Sequence, residues 1–577
     1  MALWKIRTPD SEVVRRVAGY CDIPEVAASL LVNRGHTDPA EALHFLVAAP
    51  KGMRDPMGMP DMQPAVERLA KAIEAGENIL VHGDYDVDGV TGTSLLVRML
   101  KLVGANVQWH IPNRLVDGYS FGTHSVDRAR DTNSTVVISV DNGTSAGETI
   151  AQLKAAGVDT IVTDHHEPPD GPLPDAVAIV NPKVKTSTYE WRELCGGAVA
   201  FKLAWGLAKH MAPEGNTSPA MKIFLEEACA YVAIATVCDV VPLIDENRIF
   251  ARFGLRALAA TKNHGLNAML EICGLKGREL TAEDVGFQIG PRINASGRLG
   301  SAQCAVDLLL AETAEDAKAC AQKLDDLNAE RKEIERGVLE QALADVEEHF
   351  LDPDEYPVIL VAGQNWHQGV VGIVAARLVD RYHRPAIVIG LDGAEGRGSA
   401  RSIAGFSVLD AMKGGAGHML RFGGHEQAAG CEVSADSITA LRSAVCERAR
   451  EMFEANGREE ATLTIDAELP LSEITPALMN QIDRLEPFGE QNSKPLFVSS
   501  YLRLERPPTI LGADKRHLRL DVRRGATVMK ALAFGMADRR DELQMGMDIR
   551  LVHTPRWNHW RGNRNLELLV ADFSVSS

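Results

Sequence analysis

The chain contains 577 residues, which is too long for a single hydrophobic core because domains usually contain about 100–200 residues. We therefore expect three or four domains. With 45% hydrophobic and 24% charged residues, the composition is typical of a soluble globular protein. The sequence contains neither an apolar run of the ~20 residues that a membrane span needs nor a signal-peptide pattern. It therefore predicts a cytoplasmic protein without a membrane partner.

The net charge of −18 argues against a uniformly basic surface for nucleic acid. Residues 501–577 nevertheless contain 14 Lys and Arg against 9 Asp and Glu, so this segment carries +5 and the rest of the chain carries −23. A basic C-terminal domain is compatible with local DNA binding. The nine cysteines form no CxxC pair, which favours reduced thiols over a zinc ribbon or a disulfide framework.

The predicted elements begin with a helical N-terminal lead-in at residues 1–75. Residues 76–313 then alternate short apolar runs, each ending in a polar turn, with helical stretches. The runs occupy residues 79–82, 136–140, 160–163 and 177–180. This α/β alternation predicts a mostly parallel sheet, whose ligands bind at the carboxyl ends of the strands.

Three further regions follow. Residues 314–350 predict a long helix that connects two domains, with a solvated helix inside one domain as the alternative. Residues 351–457 predict a second, smaller α/β domain with glycine-rich turns at 396–402 and 423–425. Residues 458–577 contain short strand-like runs without long helices, which predicts a small β-barrel.

Four polar segments carry the chemistry. Asp84, Asp86 and Asp88 directly follow the first predicted strand, and three carboxylates so close together repel one another unless a cation neutralises them. An acidic surface turn is one alternative, and a calcium loop is another, although the glutamate that an EF-hand requires is missing. The remaining segments are Asp141 in an Asp-Asn-Gly turn, the Asp164-His165-His166 triplet, and Asp239 after the apolar run 231–238.

Each segment alone has an ordinary structural explanation, but four of them at successive β/α turns predict a metal site. Carboxylates with one or two imidazoles favour Mn²⁺ or Mg²⁺ over zinc. Two such ions activate a water molecule, orient a phosphodiester and stabilise the departing oxygen. The residues therefore predict two-metal phosphoester hydrolysis.

At these residues the chain resembles the DHH phosphoesterase superfamily, whose name describes the triplet Asp164-His165-His166. The resemblance implies two divalent metal ions, with Mn²⁺ preferred or Mg²⁺ in its place. The implied metal ligands are Asp86, Asp88, Asp141, His165 and Asp239, with Asp84 and His82 as auxiliary ligands. Asp141 would bridge the two ions, and His166 would lie close enough to bind a metal ion or the scissile phosphate.

Other motifs resemble the branch of this superfamily that degrades single-stranded DNA. They occupy residues 290–300, 366–375, 398–402 and 423–430. The resemblance implies that the second α/β domain is the DHH-associated domain and that the barrel is an OB-fold. It also implies a 5′→3′ exonuclease that releases mononucleotides in DNA recombination and repair.

The same resemblance suggests substrate contacts. Ser399 and Arg401 would hold a 5′-phosphate, and Arg114 and Tyr119 would contact the terminal nucleotide unless Tyr119 is a buried residue of a structural turn. The remaining candidates are Arg292, Asn294, Arg298, His425, Trp557 and Trp560. His425 would either hold its own turn or touch substrate, and the tryptophans would line a DNA groove or belong to the barrel core. A narrow cleft between domains would admit one strand and not a duplex.

Two other functions fit parts of the pattern. One is a DHH phosphoesterase that acts on short RNA or cyclic dinucleotides, and the other is a non-catalytic replication scaffold. The length of the chain and the motif at 290–300 argue against the first, and the complete ligand set argues against the second. The expected partners are single-stranded DNA, a DNA helicase and a single-strand-binding protein, and the protein is expected to be a monomer.

Overall fold

The computed structural model describes residues 3–113, 117, 121–212, 217–458, 462–560 and 563–575. They form two compact units. The first unit contains residues 3–112, 121–290 and 462–575, and the second contains residues 291–458 together with Asn113 and Asp117. Within these described ranges, no helix combines the length and the apolar character needed to cross a membrane.

The N-terminal segment of the first unit is one strand followed by three helices. These elements are β1 (Leu3–Ile6), α1 (Ser11–Cys21), α2 (Glu25–Asn33) and α3 (Pro39–Val47). The segment is more than a lead-in, because β1 pairs in parallel with the strand Thr462–Ile465. Val17, Leu31 and Phe45 also pack into the core of the C-terminal barrel. The N-terminal segment is therefore built into the barrel region.

The next part of the first unit is a five-stranded parallel sheet with its helices. The elements are α4 (Met62–Ala75), β2 (Asn78–His82), α5 (Val87–Leu102), β3 (Asn106–His110), α6 (Thr123–Asp131), β4 (Val136–Val140), α7 (Gly147–Ala155), β5 (Asp159–Thr163) and β6 (Ala178–Val180). The strand order is β3-β2-β4-β5-β6. The chain thus reverses direction across the sheet between β2 and β4, and ligands bind at the carboxyl edge of such a switch point. The predicted parallel sheet is confirmed.

A helical layer follows the sheet. It contains α8 (Gly196–His210), α9 (Pro219–Cys238), α10 (Asp245–Ala259), α11 (His264–Ile272) and α12 (Ala282–Asp284). The apolar run before Asp239 is therefore the end of a 20-residue helix. Asp239 does not follow a strand, so the expectation of four successive β/α turns is wrong at this position. A run that is apolar on every side does not distinguish a buried helix from a buried strand by its period.

The second unit is helical at its start and then forms a mixed sheet. Its elements are α13 (Gly290–Leu299), α14 (Gln303–Leu310), α15 (Ala314–His349), β7 (Ile359–Gln364), α16 (Val371–Tyr382), β8 (Ala386–Asp392), β9 (Glu395–Arg401), α17 (Val408–Gly414), β10 (Arg421–Gly424), β11 (Ala428–Ser434) and α18 (Ile438–Asn456). The strand order is β10-β11-β9-β8-β7, and only β7 and β8 are parallel. The predicted long helix is α15. Its Val338, Ala342 and Val346 pack against β7, β8 and α16.

The glycine-rich segment at 396–402 is almost entirely strand β9, so its prediction as a turn is wrong, whereas the segment at 423–425 ends β10 and enters the turn before β11. Gly398 pairs with Ile389 on one side and Cys431 on the other. A Cβ atom at Gly398 would lie 2.7 Å from the Cys431 Sγ and 2.9 Å from the Ile389 Cγ1. Glycine is required here by close packing and not by a turn. The strand pairing also uses the backbone N–H groups that a turn would have offered to a phosphate.

The C-terminal part returns to the first unit. It contains β12 (Thr462–Ile465), β13 (Ala467–Glu468), α19 (Pro476–Ile482), β14 (Phe497–Leu504), β15 (Thr509–Leu511), β16 (His517–Arg524), β17 (Thr527–Ala533), β18 (Asp548–Trp560) and β19 (Asn563–Val575). The order β14-β18-β19-β17-β16 closes on itself because β14 also pairs with β16. These five strands form the predicted barrel.

Arg248 on α10 joins three parts of the first unit. Its side chain is 1% exposed. The guanidinium donates hydrogen bonds to the carbonyl oxygens of Phe45 at 2.7 Å, Leu485 at 2.8 Å, Glu486 at 3.0 Å and Arg484 at 3.1 Å. It also lies 3.7 Å from the centre of the Phe45 ring. One buried cation therefore satisfies carbonyl groups of the N-terminal helices and of the segment before the barrel.

We predict that Arg248→Met destabilises the first unit by about 3 kcal/mol or more, because it leaves several buried carbonyl groups without a donor. Urea unfolding measures the change. Arg256→Met is the matched control, since Arg256 is exposed on the same helix. Equal midpoints for the two variants would contradict a stabilising role for Arg248.

Candidate metal centre

The candidate metal centre lies at the carboxyl edge of the first sheet, where β2, β4 and β5 end. Groups of three side chains there have ligand atoms within 4.8 Å of one another. The groups are Asp84–Asp86–Asp141, Asp88–His165–Asp239 and Asp141–His165–His166. Together they contain seven of the eight residues that the sequence predicted as metal ligands or catalytic residues, the exception being His82. Asp141 and His165 each belong to two groups, which suits ligands placed between two ions.

Asp86 and Asp88 are positioned by the start of α5. Asp86 is the N-terminal capping residue, and its carboxylate accepts hydrogen bonds from the backbone N–H groups of Asp88 at 3.0 Å and Gly89 at 3.1 Å. Asp88 is 2% exposed. Its carboxylate accepts bonds of 2.6 Å from the N–H groups of both Gly196 and Gly197, at the first turn of α8. The first turn of α8 therefore orients the carboxylate of Asp88, which lies on α5.

Asp141 has an unusual backbone conformation, with a φ of 63°. Left-handed conformations are uncommon for residues other than glycine, although aspartate tolerates them better than most. Its N–H donates to the Thr163 carbonyl oxygen at 2.8 Å, and its side chain is 3% exposed. A Cβ atom at Gly196 would lie 2.6 Å from the Asp141 Oδ1. The glycine therefore makes room for the Asp141 carboxylate.

The two histidines of the triplet differ in environment. His165 is buried, and its Nε2 lies 3.1 Å from the Asp141 Oδ1 and 3.7 Å from both the Asp88 Oδ2 and the Asp239 Oδ2. The side chain of His166 is 57% exposed, and its Nδ1 lies 2.8 Å from the Asp164 Oδ1. Asp164 also accepts a hydrogen bond from the Thr144 N–H at 2.9 Å. Asp164 thus orients His166 and does not itself join the metal groups.

Burial and mutual repulsion dominate the ionisation of the carboxylates. Burial, followed by the charge of Asp86, raises the pKa of Asp88 to about 7. Burial and the charges of Asp88 and Asp86 raise the pKa of Asp141 and that of Asp239 well above the ordinary aspartate value. The protein environment by itself therefore favours the protonated, neutral form of these carboxyl groups.

The histidines shift in opposite directions. Burial, assisted by the neighbouring His166, lowers the pKa of His165 to about 3, so this imidazole is neutral and has a lone pair available to a metal ion. The hydrogen bond to Asp164 raises the pKa of His166 to about 9, despite the opposing effect of burial. His166 is therefore protonated at neutral pH.

The residues at this site fit divalent cations. The Asp141 Oδ1 is buried and has no hydrogen bond of suitable geometry within the described part of the chain. Ionising several carboxylates within this small volume requires a compensating positive charge. Oxygen ligands with one neutral imidazole match the preferences of Mn²⁺ and Mg²⁺.

His82 lies outside these carboxylate groups. It forms a separate group with His110 and His124, and its Nε2 lies 3.0 Å from the Ser125 Oγ. Its predicted role as an auxiliary ligand receives no support from this placement.

Three contributors to the site were not singled out from the sequence: Gly196, Gly197 and the orienting role of Asp164. The pair Gly196-Gly197 at the start of a long apolar stretch was the available signal. Two adjacent glycines before a helix indicate a close approach of its first turn to another group.

The predicted phosphate contacts Ser399 and Arg401 lie together in the second unit. The Arg401 Nη1 donates hydrogen bonds to the Ser399 Oγ at 3.0 Å and to the Ala400 carbonyl oxygen at 2.8 Å. Both side chains face the start of α16. A Cβ atom at Gly372 in the first turn of this helix would lie 2.9 Å from the Ser399 Oγ and 3.1 Å from the Arg401 Nη2. A hydroxyl, a guanidinium and a helix N-terminus therefore converge, which is a favourable arrangement for an anion.

The motif at residues 290–300 forms α13 and not a surface loop. Arg292 donates from its Nε to the Asp325 Oδ1 at 2.8 Å, and Arg298 donates from its Nη1 to the Gly369 carbonyl oxygen at 3.1 Å. Asn294 lies on the same helix. These contacts give both arginines a structural role, and DNA contact by the three residues stays a prediction.

His425 lies in the turn between β10 and β11. Its backbone N–H donates to the Ala428 carbonyl oxygen at 2.8 Å, and the residue is exposed. The turn is thus closed by a backbone hydrogen bond, and contact of the imidazole with substrate stays a prediction.

Trp557 on β18 is half-buried. Its Nε1 donates to the Asp483 Oδ2 at 3.1 Å, and the Arg564 guanidinium lies 3.7 Å from the centre of its ring. The Trp557 side chain is therefore partly covered by Asp483 and Arg564, and its role in DNA binding stays a prediction. Arg114 and Tyr119 lie outside the described residues, and the side chain of Trp560 does so as well.

Sequence models of three families match the chain. They are the DHH family N-terminal domain at residues 78–235, the DHHA1 domain at 355–451 and the RecJ OB domain at 465–572. The boundaries 1–75, 76–313, 314–350, 351–457 and 458–577 predicted from the sequence stay predictions.

Individual relatives extend this similarity over almost the whole chain. The single-stranded-DNA-specific exonuclease RecJ of Bacillus subtilis is 35% identical over 99% of this chain and 71% of its own length. The crystal structure of RecJ from Thermus thermophilus with Mn²⁺ superposes with a TM-score of 0.83 at 28% identity, over 100% of this chain and 80% of that one. The structure of the same enzyme with Mg²⁺ gives a TM-score of 0.77 at 27% identity, over 99% and 78%. With the DHH, DHHA1 and OB domains in this order, the chain belongs to the RecJ family.

Proposed function

We propose that this protein is a metal-dependent exonuclease that degrades single-stranded DNA from the 5′ end and acts in recombination and repair. The observation that carries the proposal is the set of carboxylate and histidine groups that share Asp141 and His165. The chain presents this set within a fold similar to that of a Mn²⁺-bound RecJ. The proposed product is a mononucleotide, and the proposed cofactors are two divalent ions, either Mn²⁺ or Mg²⁺.

The ligand groups suggest how two ions would be divided. We assign Asp84, Asp86 and Asp141 to one ion and Asp88, His165, Asp239 and Asp141 to the other, with Asp141 shared. Bound divalent ions would activate the attacking water and neutralise charge on the leaving oxygen. The chain itself positions the carboxylates of Asp86 and Asp88 through hydrogen bonds from backbone N–H groups at the starts of α5 and α8. The neutral state of His165 keeps its ring available as a ligand.

His166 is proposed to act on the phosphate itself. Its ring is more exposed than that of His165, and Asp164 holds it in the protonated form. A protonated imidazole donates a charge-assisted hydrogen bond to a phosphate oxygen. His166 would thereby orient the phosphodiester and stabilise charge that develops during hydrolysis.

Ser399 and Arg401 are proposed to hold the terminal 5′-phosphate. Their convergence on the start of α16 supports this role, since guanidinium groups and helix N-termini favour phosphate. An anchored terminal phosphate explains both the removal of nucleotides from an end and the 5′→3′ direction. A DNA helicase and a single-strand-binding protein as partners, a monomeric state and a cytoplasmic location stay predictions.

We predict that the contribution of Asp88 to the stability of the metal-free protein falls as the pH rises from 3.8, the ordinary aspartate pKa, through about 7, the raised pKa of Asp88. The sign follows because a carboxyl group with a raised pKa binds more protons in the folded state than in the unfolded state. Mn²⁺ should therefore increase the melting temperature more at pH 8 than at pH 6. Thermal unfolding of the wild type and of Asp88→Asn in EDTA across this pH range isolates the Asp88 contribution, and thermal unfolding of the wild type in Mn²⁺ measures the effect of the metal.

Asp141→Asn should raise the melting temperature in EDTA at pH 8, because it removes one of the repelling charges, and should strongly reduce the increase caused by Mn²⁺. Asp170→Asn is the control, since Asp170 is an exposed residue of a loop. A Mn²⁺ effect in Asp141→Asn equal to that of the wild type would refute the assignment of Asp141 as a shared ligand.

We predict that the wild-type protein digests a single-stranded oligonucleotide from its 5′ end in Mn²⁺ and leaves a blunt duplex intact. Oligonucleotides labelled at either end distinguish the two directions, and EDTA should abolish digestion. Asp141→Ala should lose hydrolysis by at least about a thousandfold and keep single-strand binding within a few-fold, because it removes a shared ligand without touching the barrel. Digestion from the 3′ end would contradict the proposed polarity.

We predict that Arg401→Ala abolishes the preference for a 5′-phosphate over a 5′-hydroxyl end. Charge-assisted hydrogen bonds of about 1.5–3 kcal/mol correspond to a loss of roughly 10- to 100-fold in kcat/KM on the phosphorylated substrate. The control is Arg397→Ala, because Arg397 lies on the same strand but pairs with Glu432. An unchanged ratio between the two substrates in Arg401→Ala would place the 5′-phosphate elsewhere.

A further inference from the structure

Phe287 is the most exposed large apolar side chain among the residues that the structure describes, with 77% of its surface accessible. It lies in a single π-helical turn, Val285–Ile289, which runs directly into α13. Such turns are rare and occur frequently at functional sites. An aromatic ring presented to solvent by such a turn is a candidate for ligand contact.

The π-helical turn packs against the end of α9, the helix that leads into Asp239. A Cβ atom at Gly286 would lie 3.7 Å from the Val237 Cγ1, and one at Gly290 would lie 2.5 Å from the Cys238 Sγ. The glycines on either side of Phe287 therefore contact the two residues that precede Asp239. This packing places the turn that carries Phe287 beside the end of α9 that leads into Asp239.

Val240, the residue after Asp239, is also an exposed apolar side chain. It is 64% exposed and has a φ of 58°. This left-handed conformation is strained for a β-branched residue, and such strain is typical of functional sites. The chain therefore holds an apolar side chain in solvent immediately after a candidate metal ligand.

A ligand for this surface must present an apolar face close to a site that binds an anionic phosphodiester. A nucleobase has this property, because its ring is flat and apolar on both faces and is linked to the phosphate. Stacking of a base on an aromatic side chain also tolerates any base, as an exonuclease without sequence preference requires.

We propose that Phe287 is a stacking surface for one base of the single-stranded substrate next to the scissile phosphodiester. The inference rests on the proposed function and adds a substrate-binding residue to it. Phe287 holds the strand in position for hydrolysis and takes no part in proton transfer. A duplex does not offer the face of an internal base, so the same contact favours single strands.

The test uses 5′-phosphorylated oligonucleotides with one abasic site at successive positions from the 5′ end, digested by the full-length protein in Mn²⁺. For the wild type, one abasic position should raise KM by roughly 5- to 100-fold, the loss expected for one base–aromatic stack. Phe287→Ala should have this raised KM on the intact substrate, and the abasic site at that position should not raise the KM of the variant further. The kcat of Phe287→Ala should equal that of the wild type.

Three further variants complete the test. Phe287→Trp should retain the low KM and the sensitivity to the abasic position, because it keeps an aromatic face. Phe287→Leu should behave like the alanine variant, which separates stacking from a general apolar contact. Tyr20→Ala, which removes an aromatic side chain that is 58% exposed on α1, should match the wild type.

The proposal is overturned if Phe287→Ala has the KM of the wild type on the intact substrate. It is also overturned if both proteins respond equally to every abasic position. In either case Mn²⁺-dependent digestion by the wild type leaves the proposed function standing. If the wild-type protein fails to digest any single-stranded DNA, the proposed function itself fails and the stacking role fails with it.

Discussion

The repulsion among the aspartates at the carboxyl edge of the first sheet is the constraint on which the rest of the site depends. Burial, followed by the charge of Asp86, raises the pKa of Asp88, and burial with the charges of Asp88 and Asp86 raises the pKa of Asp141 and that of Asp239. The fold opposes this repulsion only in part, through the N–H groups of Gly196 and Gly197. Divalent ions would complete the compensation. Metal binding and the stability of the first unit are therefore expected to be coupled through the same carboxylates.

Much of this site was predictable because its signals are local. A polar residue directly after a buried run marks the end of a strand, and parallel strands end at one edge, so Asp86, Asp141 and His165 were expected to converge. The contribution of Gly196 was not predictable in the same way, since its partner Asp88 lies 108 residues away in the sequence. Asp239 was assigned to the site but not to a helix, because the run before it is apolar throughout. The glycines of β9 were misread as turn residues because close strand packing selects glycine as strongly as a turn does.

The two ends of the chain share one core, which changes how the role of the barrel is best studied. Side chains of α1, α2 and α3 pack into the same apolar cluster as the barrel strands. Deletion of the C-terminal residues would expose the apolar faces of these helices, and Arg248 would lose the carbonyl groups of residues 484–486. A loss of DNA binding in such a truncation would therefore report unfolding as well as a missing DNA contact. Single substitutions on the barrel surface avoid this ambiguity.

The starts of two helices are used in opposite ways by the two units. At α8, the first N–H groups are occupied by the Asp88 carboxylate, so the protein supplies its own anion and thereby fixes a metal ligand. At α16, the groups beside the first turn are Ser399 and Arg401, and Gly372 adds no side chain between them. The anion proposed for this helix start is the terminal 5′-phosphate of the substrate. Under this proposal, the same electrostatic property of a helix N-terminus orients a metal ligand in one unit and binds the phosphate at a chain end in the other.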